Sequence, residues 1–177
     1  AMYAIGGDLT VNHAASARLL ANDQIPDAAT VTVNAGGTFD LFNASAETID
    51  ALHVDGTVLL NGGHLVAAHL SGNGNIGSTA GVLTTRQGTF TGSIQGGSFA
   101  LEKKGVGTLT LTGDNTYAAG TTLQGGTLAL GHSNAAGTGP ITTVNGHQDA
   151  VLADGPLLYW TFDESFGNAV DQVSNFF

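Results

Sequence analysis

Apolar residues recur along this chain in a pattern of two. A glycine is followed by any residue, an apolar residue, usually a small or polar residue, then usually another apolar one. Nine copies are visible: GDLTV at Gly7, GTFDL at Gly37, GTVLL at Gly56, GHLVA at Gly63, GVLTT at Gly81, GTFTG at Gly88, GSFAL at Gly97, GTLTL at Gly107 and GTLAL at Gly126. The third position is Leu9, Phe39, Val58, Leu65, Leu83, Phe90, Phe99, Leu109 or Leu128, apolar every time. Alternation over four or five residues marks a strand with one face buried, and a glycine ahead of it permits the positive φ of a sharp corner. The pattern predicts many short strands, with the third residue of each inward and, in one of them, Thr108 and Thr110 outward.

The spacing of these glycines suggests how the strands are wound. Gly37 to Gly56, Gly63 to Gly81 and Gly107 to Gly126 are 18 or 19 residues apart, whereas Gly88, Gly97 and Gly107 follow at about half that interval. A coil of roughly 18 to 20 residues carrying two or three strands, stacked on the next, yields both intervals. About eight such coils at the ~4.8 Å strand separation would rise roughly 40 Å. An antiparallel sandwich of hairpins is the structural rival, but it favours spacings of about 8 to 12 residues throughout. The expected fold is therefore all-β, a parallel β-helix over residues 1–150, with an aromatic-rich extension over 151–177.

Composition agrees and narrows the function. With 27 Gly and 10% charged residues in 177, the chain resembles neither a helical bundle nor a disordered tail. A formal charge of −10 with four Lys plus Arg lacks the basic footprint that nucleic acid or an anionic membrane requires. There is no Cys, so stability is expected from burial and backbone pairing. No segment reaches the roughly 20 apolar residues of a membrane helix. The start, AMYAIGGDLTV, has no basic residues followed by a long apolar run, and the chain is expected to be a mature or excised fragment.

The stretch LEKKGVGTLTLTGDNTYAAGTTLQGGTLALG, from Leu101 to Gly131, resembles the autotransporter passenger-associated β-strand repeat of secreted bacterial proteins. The matching residues are Leu101, Lys104, Gly105, Gly107, Leu109, Leu111, Gly113, Asn115, Tyr117, Gly120, Thr121, Gly126 and Leu128. Upstream, residues 17–52 also look like passenger-type coils. The resemblance implies a right-handed β-helix at the cell surface or beyond, and an architectural repeat without a catalytic residue. A second stretch, PLLYWTFDESFGNAVDQVSN, is similar to the opening strand of laminin-G-like or concanavalin-like jelly rolls, through Trp160, Phe162, Asp163, Glu164, Gly167, Asp171 and Ser174.

Each candidate site has a scaffold reading beside it. Lys103 and Lys104 suggest an anion site for sulfate or an acidic sugar. The scaffold reading puts Lys104 at a coil corner with its stem on apolar surface and its ammonium in water. His13, His53, His64, His69, His132 and His147 lack helical i, i+4 spacing and thiolate neighbours, so they read as strand and turn residues rather than metal ligands. SGNGNIGS carries Asn73 and Asn75 where a calcium-binding repeat needs carboxylates. The acids Asp8, Asp23, Asp27, Asp40, Glu47, Asp50, Asp55, Glu102 and Asp114 are scattered, mostly beside turn residues, and Arg18 and Arg86 show no acidic partner at the repeat spacing. That argues against a lyase or glycosidase, which needs a base near carboxylates or a carboxylate pair. A Thr-x-Thr ice-binding face fails because most coils lack the pair. No catalytic residue, metal or cofactor is expected.

The expected function is that of a structural module of a secreted or surface protein, acting as stalk, adhesin shaft or filament subunit. The alternative is a shaft that binds carbohydrate or a host ligand, which would use an exposed aromatic row. Six of the aromatics, Tyr159, Trp160, Phe162, Phe166, Phe176 and Phe177, fall in the last 19 residues. They form a candidate interface for end-to-end self-association by strand addition.

Overall fold

The computed structural model describes residues 3–42 and 46–144, and the solenoid occupies the unit Ala1–Thr143. Alternating sequence becomes fifteen strands among the described residues. They run β1 Leu9–Val11, β2 Ser16–Arg18, β3 Thr30–Val33, β4 Thr38–Asp40, β5 Ala46–Val54, β6 Thr57–Leu59, β7 His64–Gly72 and β8 Asn75–Gly77. The series continues with β9 Ala80–Phe90, β10 Ser93–Gln95, β11 Ser98–Lys104, β12 Thr108–Leu111, β13 Gly120–Gln124, β14 Thr127–Leu130 and β15 Ile141–Thr143.

All the pairings are parallel. The larger sheet runs β1-β3-β5-β7-β9-β11-β13-β15, with β12 against β9 and β14 against β12; the smaller runs β10-β8-β6-β4-β2. A strand that pairs with the next in parallel must first travel round the molecule, so this order is a β-solenoid of about seven turns. The hairpin sandwich is excluded, because its neighbours would pair antiparallel.

One column of paired residues gives the coil length directly. Leu9, Val31, Leu52, Leu70, Gly88, Leu109 and Leu128 lie in register, 22, 21, 18, 18, 21 and 19 residues apart. The expected period thus holds in the two middle coils and the last one, and is exceeded in the first two and in the coil from Gly88 to Leu109. In the 18-residue coils the chain turns from one face to the next without leaving the strand, through the corner residues Asp50, Ala68 and Arg86. The longer coils have loops there instead. At Gly88, where β9 has just passed a corner, φ is +134° and a Cβ would collide with the carbonyl of Leu70. Only glycine fits that approach.

The interior is a set of stacked side chains. Seven of the nine third-position residues, Phe39, Val58, Leu65, Leu83, Phe90, Phe99 and Leu109, are fully buried, while Leu9 and Leu128 are half-buried against the same core. Phe39, Val58, Ile76 and Ile94 form one inward stack, and Leu65, Leu83 and Leu101 another. Thr108 is exposed and Thr110 half-buried. The expected extension over 151–177, with Tyr159, Trp160, Phe162, Phe166, Phe176 and Phe177, lies outside the described residues.

Truncating Leu109 to Ala opens a cavity in the stack and should cost about 2 to 5 kcal/mol. Thr108→Ala, one residue away on the outer face, should change stability by less than about 0.5 kcal/mol. Equal denaturant midpoints for the two variants would contradict the register.

Candidate functional site

The chemistry-bearing residues of the coil from Leu101 to Leu130 are used to hold coils together. Lys103 stands two residues after inward Leu101 and shares its face, in the column Ile49, Ala67, Thr85, Lys103 and Leu123. It is fully buried. Its ammonium has three hydrogens, and it donates to Lys104 O at 3.1 Å, Gly105 O at 2.8 Å and Gly125 O at 2.9 Å. The corner loops of two successive coils are thereby fastened to one charge. Burial lowers the Lys103 pKa below the ordinary lysine value, and the three carbonyl dipoles oppose that cost. Gly126 completes the arrangement: with φ at +70°, a Cβ there would meet Gly107 O and Gly105 O and lie 2.7 Å from Lys103 Nζ.

The two lysines of the pair therefore part company. The buried lysine is Lys103, whereas Lys104 faces outward and pairs with Glu102 at 2.8 Å. That pair ends a polar chain along the outer face, in which His64 Nε2 lies 2.7 Å from Thr84 Oγ1 and Thr84 donates to Glu102 at 2.8 Å. The Lys104 hydrogen bond holds the Glu102 carboxyl below the usual glutamate range, partly offset by burial and aided by Thr84.

Asn115 and Tyr117 act where the smaller sheet stops. After β10 the next coil has no strand to offer, and Asn115, fully buried, supplies the missing partners. Its Oδ1 accepts from Ile94 N at 2.7 Å, and its Nδ2 donates to Ala135 O at 2.6 Å, tying three coils together. Tyr117, also fully buried, fills the lumen against Phe99 with ring centroids 6.1 Å apart. Its hydroxyl lies 2.6 Å from Thr121 Oγ1, and burial pushes its pKa up to about 12.

The same substitution of side chain for strand occurs near the start. Glu47, 1% exposed, accepts from Gln24 N at 3.0 Å and Ile25 N at 3.1 Å, in a coil that has no strand at that place. Burial raises its pKa, partly offset by those two amides, while Asp23 and Asp27 add to the rise. Asp40 is buried too, held by Arg18 Nε at 3.0 Å and Asn61 Nδ2 at 2.6 Å. Two readings are therefore overturned. Asp40 and Glu47 do not serve as turn residues, and Arg18 does have an acidic partner, one coil on. That partner lies 22 residues away because the first coils are longer than the repeat spacing.

The described histidines are separated along the coils. His53 lies between Ser71 Oγ at 2.9 Å and Asp55 Oδ2 at 3.1 Å, and His69 Nδ1 faces Asp50 at 3.5 Å. His13 donates to Ala35 O, and His132 accepts from Asn134 N. Among the described residues no three His, Cys, Asp or Glu converge on a point where a metal ion would fit. His147 lies outside them.

Lys103→Met keeps the stem and removes the ammonium, leaving three carbonyls short of a donor. A loss of about 2 to 4 kcal/mol is expected, against less than about 1 kcal/mol for Lys104→Met; comparable losses in urea melts would contradict the assignment. The two glutamates should leave opposite signatures in pH. A raised carboxyl pKa means that the folded state binds more protons, so the Glu47 contribution falls as pH rises through the range just above 4.5. A lowered one means the reverse, so the Glu102 contribution is lost as pH falls below 4.5. Melting temperatures measured across this range should lose the first slope in Glu47→Gln and the second in Glu102→Gln.

Residues 101–130 match the Passenger-associated-transport-repeat family. The chain is also 37% identical over 116 residues to the adhesin BmaC autotransporter of Brucella suis biovar 1 (strain 1330). That alignment covers 62% of this chain and 3% of the adhesin, so the chain corresponds to a small part of that protein. No solved structure matches the chain. Residues 101–130, with their buried Lys103, Asn115 and Tyr117, thus match a passenger-associated transport repeat and form part of a parallel β-solenoid.

Proposed function

We propose that the chain is a non-catalytic structural module of a secreted or cell-surface bacterial protein, serving as stalk, adhesin shaft or filament subunit. One observation carries this reading: the polar residues of the matched repeat are spent on joining one coil to the next. Lys103 holds two corner loops and Asn115 bridges from Ile94 to Ala135. The buried carboxylates are engaged as well, Asp40 by Arg18 and Asn61, and Glu47 by two backbone amides. A general acid or base needs a group able to exchange its proton with substrate. The adhesin relative supports placement at the cell surface. Among the described residues no helix is long and apolar enough to cross a membrane.

The alternative, an aromatic glycan-binding row, is disfavoured. Phe39, Phe90, Phe99 and Tyr117 are buried, and exposed Phe42 lies under the Arg18 guanidinium at 4.5 Å.

The finer reading is assembly end to end. Parallel solenoid coils present unpaired backbone at a terminal edge, and a segment as aromatic as residues 159–177 would gain by adding a strand to the edge of another copy. Sedimentation velocity and electron microscopy of the full chain should show filaments at high concentration. Deleting residues 156–177 should abolish them while β-rich circular dichroism persists. A full chain that sediments as a monomer at every concentration excludes assembly, and release of reducing ends from a polysaccharide panel would sink the structural reading.

A further inference from the structure

The corner that runs past Asp50, Ala68 and Arg86 is the place where the solenoid carries free positive charge. The strands β5, β7 and β9 turn there without a loop, whereas after β11 residues 105–107 bulge outward and leave Val106 98% exposed. The bulge and the corner enclose a groove of about 530 Å³, within the size range of sites that hold a small ligand. Arg86 and Lys104 line it, joined by His69, Gln87 and Asp50, while Ala68 and the loop Gly105, Val106 and Gly107 supply a glycine-rich wall.

The distribution of cations makes this groove unusual on so acidic a chain. There are four Lys plus Arg against a formal charge of −10. Lys103 is buried on carbonyls, and Arg18 is bound to Asp40. Lys104 and Arg86 remain on the surface, and both face this groove. Lys104 shares its charge with Glu102. Arg86 is exposed and forms no ion pair among the described residues, with its aliphatic stem lying along Gly105.

We propose that this groove is a binding site for a carboxylated sugar, a uronate or sialate unit, with Arg86 as the anchor. A planar guanidinium receives a carboxylate through two parallel hydrogen bonds, a fit that a lone ammonium does not match. Lys104 adds a second, weaker attraction. Asp50, His69 and Gln87 supply both donors and acceptors for sugar hydroxyls, and the glycine-rich wall accepts the face of a pyranose ring. A single negative charge is selected because the acidic chain repels polyanions, and Asp50 and Glu102 flank the cations. The site goes beyond the structural role: a stalk needs no ligand along its length, whereas this corner is adhesive. It requires neither end-to-end assembly nor the C-terminal aromatics.

Titration of the full chain followed by NMR and calorimetry tests this, with glucuronate, galacturonate and N-acetylneuraminate as probes. Glucose and N-acetylglucosamine serve as neutral counterparts, and inorganic phosphate as a compact anion. At least one carboxylated sugar should bind saturably, about tenfold tighter than its neutral counterpart, and the tighter of uronate and sialate identifies the source of the ligand. Arg86→Gln should weaken binding about tenfold, Arg86→Lys by less, and Lys104→Gln least, all with unchanged circular dichroism. No saturable binding, equal binding of neutral sugars, phosphate binding as tightly as the sugars, or full binding by folded Arg86→Gln would each overturn the proposal.

Discussion

Parallel pairing between successive coils is the constraint on which everything else in this molecule depends. Each coil leaves its backbone N–H and C=O groups pointing along the stack, where only the neighbouring coil can satisfy them. Within the strands this is automatic, since the ladders run from β1 to β15 without changing direction. Outside the strands it is not, and there the polar side chains are found. Glu47, Lys103 and Asn115 are buried at places where a strand or corner would otherwise leave amides or carbonyls unmatched. A buried charge is costly in isolation and acceptable when each of its hydrogen-bonding positions is used.

The same constraint explains the glycines and the loops. Coils stacked at strand separation bring main chain against main chain at every corner, leaving no volume for a Cβ at Gly88 or Gly126. Where the corner is a single residue the coil is short and the strand continuous. Where residues are added, as between Lys103 and Leu109, the excess is pushed outward and the ammonium of Lys103 fixes its base. The bulge that shapes the surface groove and the buried bond that secures it are thus two sides of one insertion.

Much of this could be read from residue order. Period-two alternation placed Phe39, Val58 and Leu109 inward because burial of one strand face is a local property. The same rule also contained the answer for Lys103 and Glu47: Lys103 is two residues from Leu101, and Glu47 two from Ile49, so each belongs to the inward face. Polarity hid them, since a lysine or glutamate suggests water before it suggests a lumen. Arg18 and Asp40 were hidden by spacing, because their coil is longer than the repeat the glycines advertised. Of the groove only Lys104 was legible as an anion candidate, because the rest joins residues from Asp50 to Gly107 that only the winding brings together.

The uneven lengths of the ladders imply a gradient of local opening. In the larger sheet β5 meets β7, and β7 meets β9, over eight residue pairs each, whereas β1 with β3 and β13 with β15 share three. In a stack where every coil touches only its neighbours, local stability follows these nearest-neighbour contacts. Amide protons of residues 64–72 should therefore exchange with solvent last, and those of the outer coils first. Among the described residues, opening therefore spreads from the short ladders towards the tightest windings, which stay wound longest.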